Sequence, residues 1–132
     1  MKKDEAVSIL VRRRVEQAES TLKDARCLLS GNGSPQGIIN RSYYAMFYAI
    51  VALMLRTGKS FFRHSGTISA FDREFVHTGI FPDSLSADLH RIFELRQEHD
   101  YKIIANPSIE EAKSAADQAE RFVAAVKGYL KC

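Results

Sequence analysis

From Asp4 to Ser30, apolar residues recur at Val7, Val11, Val15, Ala18, Leu22, Ala25 and Leu29. Steps of three and four residues keep one helix face toward a partner, so this stretch is predicted to be a helix. Gly31-Asn32-Gly33 ends it. Ser34-Pro35 then offers an N-cap and a proline at the first helical position, which opens a second helix running to about Arg56. From Tyr43 onward that helix is apolar on nearly every side, the pattern of a central helix. A third is predicted from about Ser65 to Thr78, with Ile68, Phe71 and Phe75 inward and Gly79 as its stop. The fourth starts near Pro82-Asp83-Ser84 and reaches about Asp100, on a stripe of Leu85, Leu89 and Ile92 with Phe93 beside it. After Asn106-Pro107, Ser108 and Glu111 have capping-box spacing. The fifth helix carries Ala112, Ala115, Ala119, Phe122, Val126 and Tyr129 inward toward the C-terminus.

The expectation is an all-α fold, a compact bundle of about five helices in a single domain over residues 1–132. No internal repeat, low-complexity tract or linker interrupts it. Composition agrees: 45% hydrophobic and 27% charged residues are ordinary globular values. The net charge of +3 permits nucleic-acid binding without arguing for it, and the run Arg12-Arg13-Arg14 reads as a solvated helix face. Cys27 and Cys132 are too few and too far apart for a disulfide framework, and reduced thiols in the cytoplasm are expected. The N-terminus lacks the apolar core of a signal peptide. The longest apolar run, Tyr43 to Leu55, falls short of the roughly 18 residues of a membrane span, so no membrane partner is expected.

Several chemical motifs fail on inspection. Gly58-Lys59-Ser60 mimics the end of a phosphate-binding loop, but Leu53 stands where the first glycine is needed and a helix precedes it instead of a strand. His64, His77, His90 and His99 show no i,i+4 pairing, so no metal site or cofactor is expected. No nucleophile elbow occurs.

What remains is Glu94-Leu95-Arg96-Gln97-Glu98-His99-Asp100-Tyr101. Extending the stripe Leu85, Leu89, Ile92 by the same steps leads to Arg96 and His99, so the apolar face turns charged without changing direction. A cation and an imidazole on an inward-leading face are costly unless paired or open to a cleft. Two explanations stand. Both residues can pair with Glu94, Glu98 or Asp100 at a helix C-terminus, where cations complement the dipole. Alternatively they face a cleft and meet a phosphate: Arg gives planar two-point recognition and His moves a proton near neutral pH.

Arg41-Ser42-Tyr43-Tyr44-Ala45-Met46-Phe47-Tyr48-Ala49 resembles the central-helix signature of small prokaryotic HEPN proteins. His64-Ser65-Gly66, the Phe71 to Gly79 segment, Arg96 through Asp100-Tyr101, and Ala119-Glu120-Arg121-Phe122 follow in the same order. The resemblance implies a helical bundle that often forms homodimers and often acts with a minimal nucleotidyltransferase in a toxin–antitoxin or defence pair. It also implies metal-independent ribonuclease activity in many members, through an arginine followed at an interval by a histidine. Here only Gln97 and Glu98 separate Arg96 from His99, a shorter interval than the family's, so Arg96 and Asp100-Tyr101 match better than His99 does.

Tyr43, Tyr44 and Tyr48 lie at helical spacing and are expected in core or dimer packing, with base stacking as the other use of such rings. Arg41 can line the Arg96 cleft or sit in a surface ion pair; His64 is expected to serve the start of the third helix, with facing a ligand as the other use. The leading expectation is a homodimeric binding module that holds nucleotide or RNA through Arg41, Tyr44, Arg96, Asp100 and Tyr101. The alternative is a ribonuclease toxin in which Arg96 stabilises phosphate charge and His99 transfers a proton.

Overall fold

The computed structural model describes residues 2–58, 64–101 and 106–132, with 64, 65 and 97–101 described by backbone alone. Five α-helices follow one another: α1 Lys3–Ser30, α2 Pro35–Thr57, α3 His64–Phe71, α4 Asp83–Tyr101 and α5 Ile109–Leu130. No strand occurs among the described residues. The all-α bundle expected from periodicity is the fold found.

The punctuation works as read. Ser34 Oγ accepts from the Gly37 N–H at 3.0 Å, with Pro35 at the head of α2. Ser108 and Glu111 exchange both capping-box bonds, each 3.0 Å. Between α1 and α2, Asn32 takes a positive φ of 58°, and the Gly33 N–H donates to the Leu28 carbonyl at 2.6 Å. A Cβ on Gly33 would stand 2.9 Å from that carbonyl oxygen, so this tight turn has no room for a side chain.

Helix α2 packs against α1, α5, α4 and α3, which explains why it is apolar all round. It is long and apolar enough to cross a membrane (mean hydropathy 1.4), but 61% of that window is buried inside the bundle, as in a core helix. Ile38, Ile39, Tyr43, Met46, Ile50 and Leu53 are at or near zero exposure. From α1 come Val11, Val15, Ala18 and Ala25, and from α5 a stripe of Ala112, Ala115, Ala116 and Ala119, each closed to solvent. Such small residues let α5 lie close to its neighbours. Arg26 of α1 reaches Asp117 and Glu120 of α5 at 2.8 Å, and Lys127 reaches Glu19 at 3.0 Å. Arg12, Arg13 and Arg14 are exposed, as a solvated face requires.

Two details differ from the pattern-based expectation. The third helix does not run on as α to Thr78: Asp72–Val76 is π-helical, and the His77 N–H donates to the Asp72 carbonyl five residues back at 2.8 Å. The widened turn keeps Phe71 and Phe75 stacked, with ring centroids 6.0 Å apart, while Phe71 also meets Phe81 and Phe122. Second, Tyr129 is 46% exposed, its ring edge on Phe75 and Phe81, and Leu130 takes the inward place at the end of α5.

The π-turn is stapled to α4. Asp72 Oδ1 accepts from Ser86 Oγ at 2.7 Å, and Oδ2 lies 2.6 Å from His90 Nε2. On its other flank, Arg91 of α4 donates to Gln118 and Ser114 of α5. Among the described side chains of α4, Leu89 and Ile92 are fully buried, with Leu85, Phe93 and Leu95 partly so. Thus α4, which carries Arg96, is set by a thin apolar seam and a few directed bonds.

Candidate functional site

The C-terminal half of α4 crosses the N-terminal half of α2, and there the two predicted arginines meet. Arg96 Nε donates to Asn40 Oδ1 at 3.2 Å and Nη2 donates to the Tyr44 hydroxyl at 3.3 Å. Its guanidinium carbon stands 4.9 Å from the Tyr43 ring centroid and 5.2 Å from that of Tyr44. Arg41, three residues before Tyr44, places its own guanidinium carbon 5.6 Å from the same Tyr44 ring. One tyrosine therefore carries two cations, each within cation–π range. The turn-to-turn spacing of α2 explains the grouping: positions 40, 41 and 44 share a face by the i,i+3 and i,i+4 rule.

Asn40, Arg41, Tyr44 and Arg96 are all half-buried, whereas Tyr43 is fully buried. Burial pushes the Tyr43 phenol well above the usual tyrosine range, against the opposing pull of the Arg96 charge. Tyr43 is thus a neutral wall of the cluster. The rings continue as Tyr44–Phe47–Tyr48, with centroids 6.0 to 6.4 Å apart, along a half-buried face of α2. The first turn of α2 contains no acidic residue, so nothing in that turn offsets the positive end of the helix dipole. Chemically, this arrangement suits an anion approaching two guanidinium groups beside an aromatic surface.

Of the residues expected from sequence, Arg41, Tyr44 and Arg96 are brought together. Arg96 binds across to α2, in addition to whatever its own helix offers, and Glu94 is exposed. Asp100 and Tyr101 continue α4 by backbone, as does His99; the side chains of all three lie outside the described residues, as does that of His64. Asn40 was not anticipated. Its only sequence signal is that it opens the polar run Asn40-Arg41-Ser42 one turn before Tyr44.

No group of three or more His, Cys, Asp or Glu able to hold a metal ion occurs among the described residues. An open slot of about 450 Å³ between α1 and α5 has Leu22, Val123 and Ala124 in its lining beside the Arg26–Glu120 and Glu19–Lys127 pairs. It shares no residue with the Arg96 cluster, and four of its charged groups are taken up by those two ion pairs, with Lys23 beside them.

The HEPN domain model matches residues 11–129. A UPF0332 protein of Thermotoga maritima is 39% identical over 115 residues, covering 87% of this chain and 86% of its own. A UPF0332 protein of Archaeoglobus fulgidus is 33% identical, covering 86% and 90%. A Methanocaldococcus jannaschii protein named as a candidate toxin is 32% identical, covering 89% and 86%. With nearly the whole helical bundle matched, the chain belongs to the HEPN domain family.

Proposed function

We propose that this protein is a HEPN-type binding module, a homodimer whose cleft holds RNA or a nucleotide and which acts with a minimal nucleotidyltransferase in a toxin–antitoxin or defence pair. The observation that carries the reading is the placement of Arg41 and Arg96 over one Tyr44 ring, beside the N-terminal half of α2. Two half-buried guanidinium groups at one aromatic ring suit phosphate recognition, and neighbouring rings offer stacking surface to bases. Asp100 and Tyr101, which follow Arg96 along the backbone of α4, are included in this reading. Two Methanocaldococcus jannaschii relatives named as candidate toxins support the toxin side of such a pair. The half-buried apolar face of α2 through Tyr44, Phe47 and Tyr48 is the surface a second copy would cover.

Binding of a fluorescent single-stranded RNA, followed by anisotropy across a salt series, tests this reading. The wild type should bind, and Arg96→Ala should weaken binding and flatten the salt dependence by about 0.7 in log–log slope, one phosphate contact on a single strand. Unchanged affinity and slope in a folded Arg96→Ala protein would remove Arg96 from the binding site. Co-purification with a nucleotidyltransferase encoded beside it tests the partner.

A second reading is a metal-independent ribonuclease toxin. It is favoured by the same two relatives and by His99 following Arg96 on α4. Arg96 would stabilise charge on the phosphate and His99 would transfer a proton between the 2′-hydroxyl and the leaving oxygen. RNA cleavage in EDTA that both Arg96→Ala and His99→Ala abolish would select this reading over simple binding.

A further inference from the structure

The edge of Arg96 that is engaged in the structure is the one best suited to phosphate. Nε–H and one Nη2–H run parallel, and this fork is the edge that meets two oxygens of a phosphate or carboxylate at once. Here the fork meets two oxygens supplied by α2 itself, one helical turn apart: Asn40 Oδ1 at 3.2 Å and the Tyr44 hydroxyl at 3.3 Å. Both acceptors are neutral. Both contacts are longer than the roughly 2.7–2.9 Å of a guanidinium bonded to an anionic oxygen, and such charged bonds are about twice as strong as neutral ones. Asn40 and Tyr44 therefore stand in for the two oxygens of a phosphate, in a weaker form.

We propose that Asn40 and Tyr44 hold Arg96 in a resting position, and that an RNA phosphate takes over the fork they occupy, so that the Tyr44 hydroxyl sets the affinity of the site. This rests on the RNA-binding reading above. The exchange needs little movement. Arg96 already lies over the Tyr43 and Tyr44 rings, and its long stem lets the guanidinium turn its fork outward while keeping those ring contacts. Arg41, within 5.6 Å of the same Tyr44 ring centroid, adds a second positive charge near the site. Tyr44, which the sequence reading places among the RNA-binding residues, acts here through its oxygen, as a competitor for Arg96.

Tyr44→Phe isolates that oxygen, because it keeps the ring and both cation–π contacts. Anisotropy titrations of a labelled single-stranded RNA of about 12 nucleotides would compare wild type, Tyr44→Phe, Asn40→Ala and Tyr44→Phe/Arg96→Ala, each checked for helicity and cooperative melting. Removing one neutral competing bond should tighten RNA binding about three- to tenfold in Tyr44→Phe. Asn40→Ala should shift in the same direction, and the gain should vanish in the double variant. Wild-type binding with equal or weaker binding by Tyr44→Phe would mean that the hydroxyl positions Arg96; that overturns the proposal and leaves the binding reading standing. A gain that survives Arg96→Ala overturns it equally. No binding by any of the folded proteins overturns both.

Discussion

Arg96 shows how much one side chain's chemistry depends on where its helix lands. A guanidinium half-withdrawn from water needs directed partners, and here Asn40, Tyr44 and two ring faces supply them. A lysine at this position would keep the charge and lose the planar fork, so Arg96→Lys is expected to recover little of the RNA affinity lost in Arg96→Ala, as anisotropy would show. Recovery to wild-type affinity would reduce the role of Arg96 to that of a point charge. Tyr43 gives a second expectation at this scale. Burial raises its pKa in the folded protein, so above about pH 10 the unfolded chain loses the proton first and stability falls as pH rises. Below that pH the contribution is fully present. Urea unfolding between pH 9 and about 11 should therefore show a steeper decline for wild type than for Tyr43→Phe, by up to about 1.4 kcal/mol per pH unit. Parallel slopes would show that the Tyr43 phenol ionises as easily folded as unfolded. The arginines and Tyr44 were legible in the sequence as charge and aromatic spacing. Asn40 was not, because an isolated amide has no periodic or motif signal.

Among the elements, α4 is joined to its neighbours by several polar links. Asp72 uses both carboxylate oxygens to hold Ser86 and His90, one turn apart on α4, and it can do so because the π-turn begins at Asp72. Asp72→Ala removes both bonds at once. The expected cost is about 1–3 kcal/mol, seen as a lower urea midpoint with unchanged m-value. RNA affinity should fall with it, because Arg96 rides on the same helix. A variant with wild-type stability would mean that the apolar seam of Leu89 and Ile92 suffices to seat α4. Neither the π-turn nor the staple has a sequence signature: Asp72-Arg73-Glu74-Phe75-Val76 reads equally well as ordinary helix, and the extra residue per turn is settled by the stacking of Phe71, Phe75 and Phe81.

For the whole molecule, the surface best suited to a second copy lies on α2. Its face through Tyr44, Phe47 and Tyr48 stays half-exposed beside Leu55, an apolar stretch on the central helix of the bundle. Tyr48→Glu would place a charge there without entering the core. If two copies pair through this face, sedimentation velocity should show a dimer for wild type and a monomer for Tyr48→Glu, with helicity preserved. A dimer that persists in the variant would move the contact elsewhere.

By itself, the sequence determined where α1, α2 and α5 begin and which face of α1 and α2 turns inward. Ser34-Pro35, the Ser108–Glu111 box, Asn32-Gly33 and the apolar steps of α1 and α2 act over three or four residues, so their meaning is complete locally. Only the tertiary structure decided that Arg96 binds Asn40, 56 positions earlier, that Arg41 shares the Tyr44 ring with it, and that Asp72 reaches His90. Those pairings follow from how α4 docks on α2 and on the π-turn. That docking depends on the packed volumes of several helices together, which no short window of sequence contains.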